Sequence, residues 1–246
     1  MSKRQRLRKE KRENERKQQL RELRAQRNLY RVAFPWRKLT GPALSLLVVV
    51  LLVWLVPKGI LWWASRAVVT GPFGSIAREE LEANRFATLV TTAGEIQLEL
   101  LIATAPLASA NFVLLAQDDA YDEVKFHRVI PDFMVQTGDP NSKDDSPEDD
   151  GTGGPGYLFD DEFNSNTPAL VRGMVAMANP GQPDSNGSQF FIITADETPW
   201  LDGAHTPFAR VVSGMEVVDA ISQTATDDTD RPLTDISITD VILGNQ

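Results

Sequence analysis

An uninterrupted apolar run near the N-terminus constrains this chain more than any other feature, because so apolar a segment does not suit the surface of a globular domain. The run extends from Ala43 to Val56 and contains no charged side chain. After a short interruption at Lys58, apolar residues continue to Ala64. A helix that spans a bilayer needs about 20 residues, so the interval 39–64 is long enough for one.

The charged residues are divided unequally across this apolar run. Residues 1–38 carry fifteen Lys and Arg against four Asp and Glu, whereas residues 65–246 carry nine against thirty. Segments rich in Lys and Arg stay on the cytoplasmic side of a membrane. The sequence therefore predicts a basic cytoplasmic tail at 1–38, a transmembrane signal anchor at 39–64 and an acidic domain outside the cytoplasm. We expect a bacterial plasma membrane, with the endoplasmic reticulum as the alternative.

Two other interpretations of the apolar run remain. A buried core helix is disfavoured by the strongly basic segment beside it. A cleaved signal peptide is the stronger rival, because Ser65, Arg66 and Ala67 form a weak cleavage site. Signal peptides are usually about 15–30 residues in all, however, and here about 40 residues precede the run. The basic tail itself suits contact with anionic lipid better than with nucleic acid, because it adjoins the predicted anchor.

The acidic part has the pattern of a mainly β domain. Residues 65–85 are interpreted as a linker with a short helical turn, and the domain is expected at 86–246. Alternating and apolar segments predict strands at 87–91, 95–100, 171–179, 188–194, 207–212 and 236–243. Two helices are also expected, one that Thr104 caps, with Pro106 in its first turn, and one at 215–221. Many short strands with two modest helices indicate a closed antiparallel barrel. The chain has no cysteine, which excludes disulfides and thiolate chemistry.

One stretch of this domain, residues 126–139, carries the most distinctive chemistry. It places the fixed cation Arg128 before an apolar pair, Phe133 and Met134, and the amide Gln136. Side chains alternate between faces in a strand, so the apolar pair shares a face only if a turn precedes it. The result is a surface with an apolar floor, a guanidinium and an amide, which suits a proline ring and its peptide bond. The same residues fit a core hairpin with a solvated arginine equally well.

Two loops that follow invite other interpretations. Residues 141–150 are acidic, but they lack the spacing and glycine of a calcium-binding loop, so a solvated loop is expected. Residues 151–156 are rich in glycine, but no Lys-Ser or Lys-Thr pair and no helix pattern follows, so a phosphate site is not expected. The sequence therefore predicts neither a metal nor a cofactor.

From about Phe86 to Leu243 the chain resembles the cyclophilins. The similarity rests on six separated blocks in the order of that family, which are 126–131, 133–136, 151–154, 177–179, 186–191 and 200–205. The resemblance implies a closed eight-stranded antiparallel barrel with two capping helices, here preceded by one transmembrane helix. It also implies cis–trans isomerisation of the peptide bond before proline, without a cofactor or metal.

The resemblance assigns roles to particular residues. Arg128 is expected to be catalytic. The residues expected to form the proline pocket are Phe133, Met134, Phe191 and Leu201. Substrate hydrogen bonds are expected at Gln136, Asn179 and Gln189, with Ala178 lining the groove and Trp200 and His205 on its far side. Trp200 also favours binding of cyclosporin. Three departures from the family pattern, Thr137, Pro180 and Ala204, put substrate preference in doubt, not activity.

The predicted function is that of a membrane-anchored prolyl isomerase that assists the folding of proline-containing clients outside the cytoplasm. A non-enzymatic peptide-binding scaffold in a membrane complex is the alternative. The intact arginine and pocket residues favour the enzyme, because a scaffold has no need of the cation. A tether through the basic tail is compatible with either function.

Overall fold

The computed structural model describes residues 68–244, which contain ten strands and three α-helices. The strands are β1 (Val68–Gly71), β2 (Gly74–Ala77), β3 (Phe86–Thr91), β4 (Gly94–Leu100), β5 (Arg128–Ile130), β6 (Met134–Thr137), β7 (Met174–Met177), β8 (Phe190–Ile193), β9 (Pro207–Ser213) and β10 (Ile238–Gly244). The helices are α1 (Arg78–Ala83), α2 (Pro106–Gln117) and α3 (Met215–Ser222).

Eight of these strands form one antiparallel sheet in the order β10-β3-β4-β9-β7-β8-β6-β5. The sheet is curled, and its two edges approach each other just before β5 and β10 begin. There Lys125 and Ser237 form an isolated bridge, and the amide of Phe126 donates to the carbonyl of Ile236 over 2.8 Å. The predicted mainly β, antiparallel fold is confirmed. The predicted closed barrel is observed only as a curled sheet, because β5 and β10 themselves are not paired.

The predicted anchor at 39–64 and tail at 1–38 lie outside the described residues. Between residues 68 and 244, no helix is both long enough and apolar enough to cross a bilayer.

The strands β6, β8 and β7 are buried on both faces, and this decides where the functional surface lies. Their alternate residues belong to two different apolar clusters, so the period of two along each strand separates the clusters cleanly. The inward members, in the main core, are Val135, Phe190, Ile192, Val175 and Met177. The outward members, in a second cluster, are Met134, Phe191, Ile193, Met174 and Ala176.

Helix α2 closes the main core with an aromatic contact. Phe112 stacks on Tyr121 with ring centroids 5.2 Å apart and meets the edge of Phe190 at 5.8 Å. Such pairs add about 0.5–1.5 kcal/mol beyond the area they bury. In α3, Val218 and Ile221 are buried in the same core.

The start of α2 differs from the sequence prediction. Thr104 was expected to cap the helix, but the helix begins at Pro106, and Ala105 occupies the cap position without a side-chain hydrogen bond. The free amides of Leu107 and Ala108 instead donate to the two carboxylate oxygens of Glu162, each over 2.9 Å. A carboxylate from a distant loop thus replaces the local cap, because a helix N-terminus favours a negative charge.

Strand β7 is shorter than predicted. The sequence pattern begins at Val171, whereas the strand begins at Met174. Gly173 has a φ of 81°, a left-handed conformation that does not belong to a strand. The chain therefore turns at this glycine before it enters the sheet.

The segment 65–85, predicted as a linker with a short helical turn, is more ordered than expected from Val68 onward. The hairpin of β1 and β2 leads directly into α1. Ile76 and Leu81 are buried in the main core, and the ring of Phe73 lies 5.9 Å from that of Phe159. β2 and α1 contribute one buried residue each and β1 contributes none, so no periodic apolar pattern marks the segment in the sequence.

We predict that this segment contributes to the stability of the whole domain. Leu81→Ala should lower the free energy of unfolding by about 2–5 kcal/mol, because it empties a fully buried site. Leu158→Ala, at a side chain that is 61% exposed, is the matched control and should change it by less than about 0.5 kcal/mol. Urea unfolding of residues 65–246 measures both. Equal midpoints for Leu81→Ala and the unaltered domain would show that α1 does not belong to the cooperative core.

Candidate active site

The register of four neighbouring strands aligns the candidate residues in one row. Arg128 of β5 lies opposite Gln136 of β6, Gln136 lies opposite Phe191 of β8, and Phe191 lies opposite Ala176 of β7. Directly opposite residues of antiparallel strands project from the same face, with Cβ atoms about 4.5–5.5 Å apart. The ladder thus brings together a guanidinium, an amide and a phenyl ring that are far apart in the sequence.

The floor beside this row is the second apolar cluster. Met134 and Phe191 are buried in it, and Phe133 and Leu201 pack against it while half-buried. Phe133 and Met134 share this cluster because residues 131–133 form a turn in which Asp132 has a φ of 56°. The sequence predicted such a turn, and the structure brings all four predicted pocket residues together.

Two glutamines and a glycine-rich loop form the polar edge of the row. Gln136 donates from Nε2 to Oε1 of Gln189 over 2.9 Å. Gln189 in turn donates to the carbonyls of Gly151 and Gly153 over 3.0 and 2.9 Å. Within residues 68–244, the side-chain oxygen of Gln136 accepts no hydrogen bond, so it is free to accept one from a peptide N–H.

The glycine-rich loop is fixed by a buried carboxylate. Asp139 is fully buried, and its oxygens accept the amides of Asn141 over 2.8 Å, of Gly153 over 3.2 Å and of Gly151. A Cβ atom at Gly153 would lie 2.1 Å from Oδ1 of Asp139, so this position requires glycine. The glycine-rich loop, in which the sequence predicts no phosphate site, therefore orients Gln189 in the candidate site.

Asn179 holds the opposite wall through its side chain. Its Nδ2 donates to the carbonyl of Ala204 over 2.8 Å, and its Oδ1 accepts the amide of Gly181 over 3.0 Å. The neighbouring amide of Ala178 donates to the carbonyl of Gln189 over 2.9 Å. The side chain of Asn179 thus joins two loops. Asn179 is half-buried, and its backbone N–H and C=O make no backbone hydrogen bond within residues 68–244.

The far side of the groove carries two further rings. The indole of Trp200 lies 6.0 Å from the ring of Phe133 and is 65% exposed. The imidazole of His205 meets Phe191 edge to face at 5.2 Å, and its Nδ1 lies 3.1 Å from the carbonyl oxygen of Met177. A carbonyl only accepts, so Nδ1 of His205 carries the proton.

Burial affects the protonation of both histidines. Burial lowers the pKa of His205 below its ordinary value, and burial likewise lowers the pKa of His127. Both rings are therefore neutral at pH 7. His127 is buried.

The three departures from the family pattern have different structural settings. Thr137 is fully buried, and its hydroxyl donates to the carbonyl of Lys125 over 3.0 Å, so it ties β6 to the preceding segment. Pro180 is exposed at the turn held by Asn179, and Ala204 is exposed at the opposite rim. Of the three, only Pro180 and Ala204 are exposed beside the groove.

The acidic loop fits the prediction of a solvated segment. Residues 143–149 are exposed, and no cluster of His, Asp or Glu suited to a metal ion occurs anywhere in 68–244.

Asp230 is a candidate residue that the sequence did not indicate. Oδ2 of Asp230 lies 3.7 Å from Nε of Arg128, and the two side chains are 46% and 45% exposed. Asp230 lies about a hundred residues beyond Arg128, and no spacing rule connects them. Asp230 lies in the segment that precedes β10, and a backbone hydrogen bond holds this segment against β5. In that bond the amide of Val129 donates to the carbonyl of Asp230 over 2.7 Å.

Comparison with known proteins agrees with this geometry. The model of the family described as cyclophilin type peptidyl-prolyl cis-trans isomerase/CLD matches residues 86–243. Peptidyl-prolyl cis-trans isomerase-like 1 of Emericella nidulans is 45% identical over 154 residues, which are 61% of this chain and 90% of that protein. Peptidyl-prolyl cis-trans isomerase ppi1 of Schizosaccharomyces pombe is 46% identical over 153 residues, which are 61% of this chain and 93% of that protein.

Solved structures support the same relationship. A cyclophilin type peptidyl-prolyl cis-trans isomerase of Cryptosporidium parvum is 30% identical and superposes with a TM-score of 0.60, over 66% of this chain and 98% of its own. The same protein in the presence of the dipeptide Ala-Pro gives a TM-score of 0.59, over 65% and 99% of the two chains. With its curled antiparallel sheet and its match over residues 86–243, this chain belongs to the cyclophilin-type peptidyl-prolyl cis-trans isomerases.

Proposed function

We propose that Arg128 is the catalytic group of this isomerase and that the second apolar cluster holds the substrate proline. The observation that carries the proposal is the register of the strands, which sets Arg128, Gln136 and Phe191 in one row on the face of the sheet that carries the pocket floor. The proposal extends the family's reaction to particular atoms of this chain.

The chemistry of the reaction explains why one fixed cation suffices. Resonance gives the C–N bond partial double-bond character, and isomerisation before proline takes tens to hundreds of seconds without a catalyst. In the twisted transition state the proline nitrogen regains a lone pair. A guanidinium donor directed at that nitrogen stabilises the twisted state more than the planar one, which lowers the barrier. Arginine stays protonated at any working pH.

The remaining residues of the groove would bind the substrate. The proline ring would lie on Met134, Phe133, Phe191 and Leu201, whose half-buried and buried surfaces form the apolar floor. Gln136, Gln189 and Asn179 would hydrogen-bond the substrate backbone, with Ala178 along the groove and Trp200 and His205 at its far end. Proline-containing polypeptides are therefore the proposed clients. The related Cryptosporidium parvum protein was solved in the presence of Ala-Pro, which fits this substrate class.

We also propose that residues 39–64 anchor the isomerase in a membrane, with the basic tail in the cytoplasm and the domain outside it. The division of charge supports this topology, with fifteen Lys and Arg before residue 39 and thirty Asp and Glu after residue 64. There the enzyme would assist the folding of polypeptides that have crossed the membrane, since proline isomerisation is a slow step of folding. The tail would contact anionic lipid.

The proposed topology predicts which residues a protease reaches. Protease added outside intact cells, or outside spheroplasts of a bacterium with an outer membrane, should digest 65–246 and spare 1–38, detected by tags at the two ends. Protection of the acidic domain until the membrane is opened would contradict the topology. A mature N-terminus near Val68 would instead show that the anchor is cleaved.

Cyclosporin provides a second test of the groove. We expect it to inhibit a chain that begins at residue 65 and to change its tryptophan fluorescence, because Trp200 is exposed at the groove and is the only tryptophan after Trp63. Trp200→Phe should remove the fluorescence change. Absence of saturable inhibition at micromolar cyclosporin would indicate that Pro180 or Ala204 has altered the groove.

Replacement of Arg128 tests the catalytic proposal directly. We expect Arg128→Ala to lower the isomerisation rate by roughly a hundred- to a thousandfold, the loss typical of one preorganised donor. Peptide affinity should fall much less, because the apolar floor remains. Exchange between the cis and trans signals of a proline peptide in NMR gives the rate, and a titration of the same peptide gives the affinity.

Two further variants sharpen that experiment. Arg128→Lys should restore little activity, because an ammonium lacks the planar fork of donors. Phe133→Ala should weaken binding itself, because it removes apolar contact area. Equal rates for the unaltered enzyme and Arg128→Ala would contradict the catalytic role and leave Arg128 as a surface residue.

A further inference from the structure

We infer that Asp230 is a positioning residue that holds the guanidinium of Arg128 for the reaction. The inference rests on the proposed function, because it assigns Asp230 a role only through Arg128. Asp230 does not itself touch the substrate in this scheme. It acts by restricting where the arginine side chain lies.

The contact is specific to one end of the guanidinium. Oδ2 of Asp230 lies 3.7 Å from Nε of Arg128, and within the described part of the chain Arg128 makes no other ion pair and no side-chain hydrogen bond. The two terminal nitrogens therefore remain available to a peptide. Asp230 is thus the one charged restraint that residues 68–244 provide for the proposed catalytic group.

Asp230 is itself held firmly. Its φ of 64° lies in the left-handed region, and its carbonyl accepts the amide of Val129 over 2.7 Å. Oδ1 of Asp227 accepts the amides of Thr229 and Arg231 over 2.8 and 3.1 Å, which closes the loop on itself. The carboxylate is therefore presented from a fixed loop directly beside β5.

The same loop is fastened to the body of the domain on its other side. The guanidinium of Arg231 lies 3.5 Å from a carboxylate oxygen of Asp150 and 3.8 Å from one of Asp235. The side chains of Arg231 and Asp150 are only 17% and 8% exposed. This partly buried ion pair favours the position of the loop, and with it of Asp230, beside Arg128.

Restraint of this kind matters because Arg128 is a long side chain on an edge strand. Without a partner, its guanidinium would sample many rotamers, and only some of them point to the substrate nitrogen. Catalysis by a fixed charge depends on that charge being oriented before the reaction. The negative charge of Asp230 also weakens the field of Arg128 at the substrate. The gain in orientation exceeds this loss.

The experiment compares two charge-removing substitutions in the full chain. Asp230→Asn keeps the size of the side chain and tolerates the left-handed backbone. We expect it to lower kcat about two- to fivefold, the range of an exposed ion pair, and to leave peptide affinity unchanged. Asp228→Asn, at an exposed residue of the same loop, removes the same charge and should leave kcat unchanged. An unchanged or raised kcat for Asp230→Asn would overturn the inference.

A double-mutant cycle separates positioning from a structural role. When Arg128 is replaced by Ala, Asp230→Asn should have no further effect, because a positioning residue acts only through its partner. An equal loss in both backgrounds would overturn the inference while the proposed function stands. Full activity of Arg128→Ala alone would overturn both. Should Asp230→Asn fold poorly, Asp230→Gly, which favours the same backbone conformation, takes its place and must give the same kcat loss.

Discussion

The burial of β6, β8 and β7 on both faces is the constraint on which the rest of the structure depends. The inward side chains complete the core with α2, while the outward ones form the apolar floor of the groove. Because neighbouring strands pair in a fixed register, a slip of one residue would exchange the two faces and destroy both surfaces at once. The stability of the fold and the geometry of the site are therefore set by the same backbone hydrogen bonds.

Around this ladder, a loop and a helix start are fixed by two carboxylates, of which Asp139 is buried and Glu162 is half-buried. Asp139 holds the glycine-rich loop that orients Gln189, and Glu162 holds the first turn of α2. Burial raises the pKa of Glu162, and its hydrogen bonds from the helix amides oppose that shift. Each carboxylate accepts several backbone amides, some of them from segments far from it in the sequence, which explains why these segments show no local signal of their own.

The site contains the guanidinium of Arg128 and histidines that burial keeps neutral. This suits a reaction in which no bond to hydrogen is made or broken and only a torsion changes. The energetic contribution of the protein then lies in orientation and in exclusion of water by the apolar floor. The role inferred for Asp230 fits the same principle, because Asp230 would restrain a charge without supplying one to the substrate.

The sequence by itself determined the main elements of the domain, because alternation and turn residues are local signals, whereas the expected groove residues came from the resemblance to the cyclophilins. It correctly placed Phe133 and Met134 on one surface through the turn before them. The sequence did not predict the folded segment at 68–83, the cap that Glu162 provides for α2 or the position of Asp230 beside Arg128. These depend on contacts between residues far apart in the chain, which only the tertiary structure brings together, and no local pattern encodes such contacts.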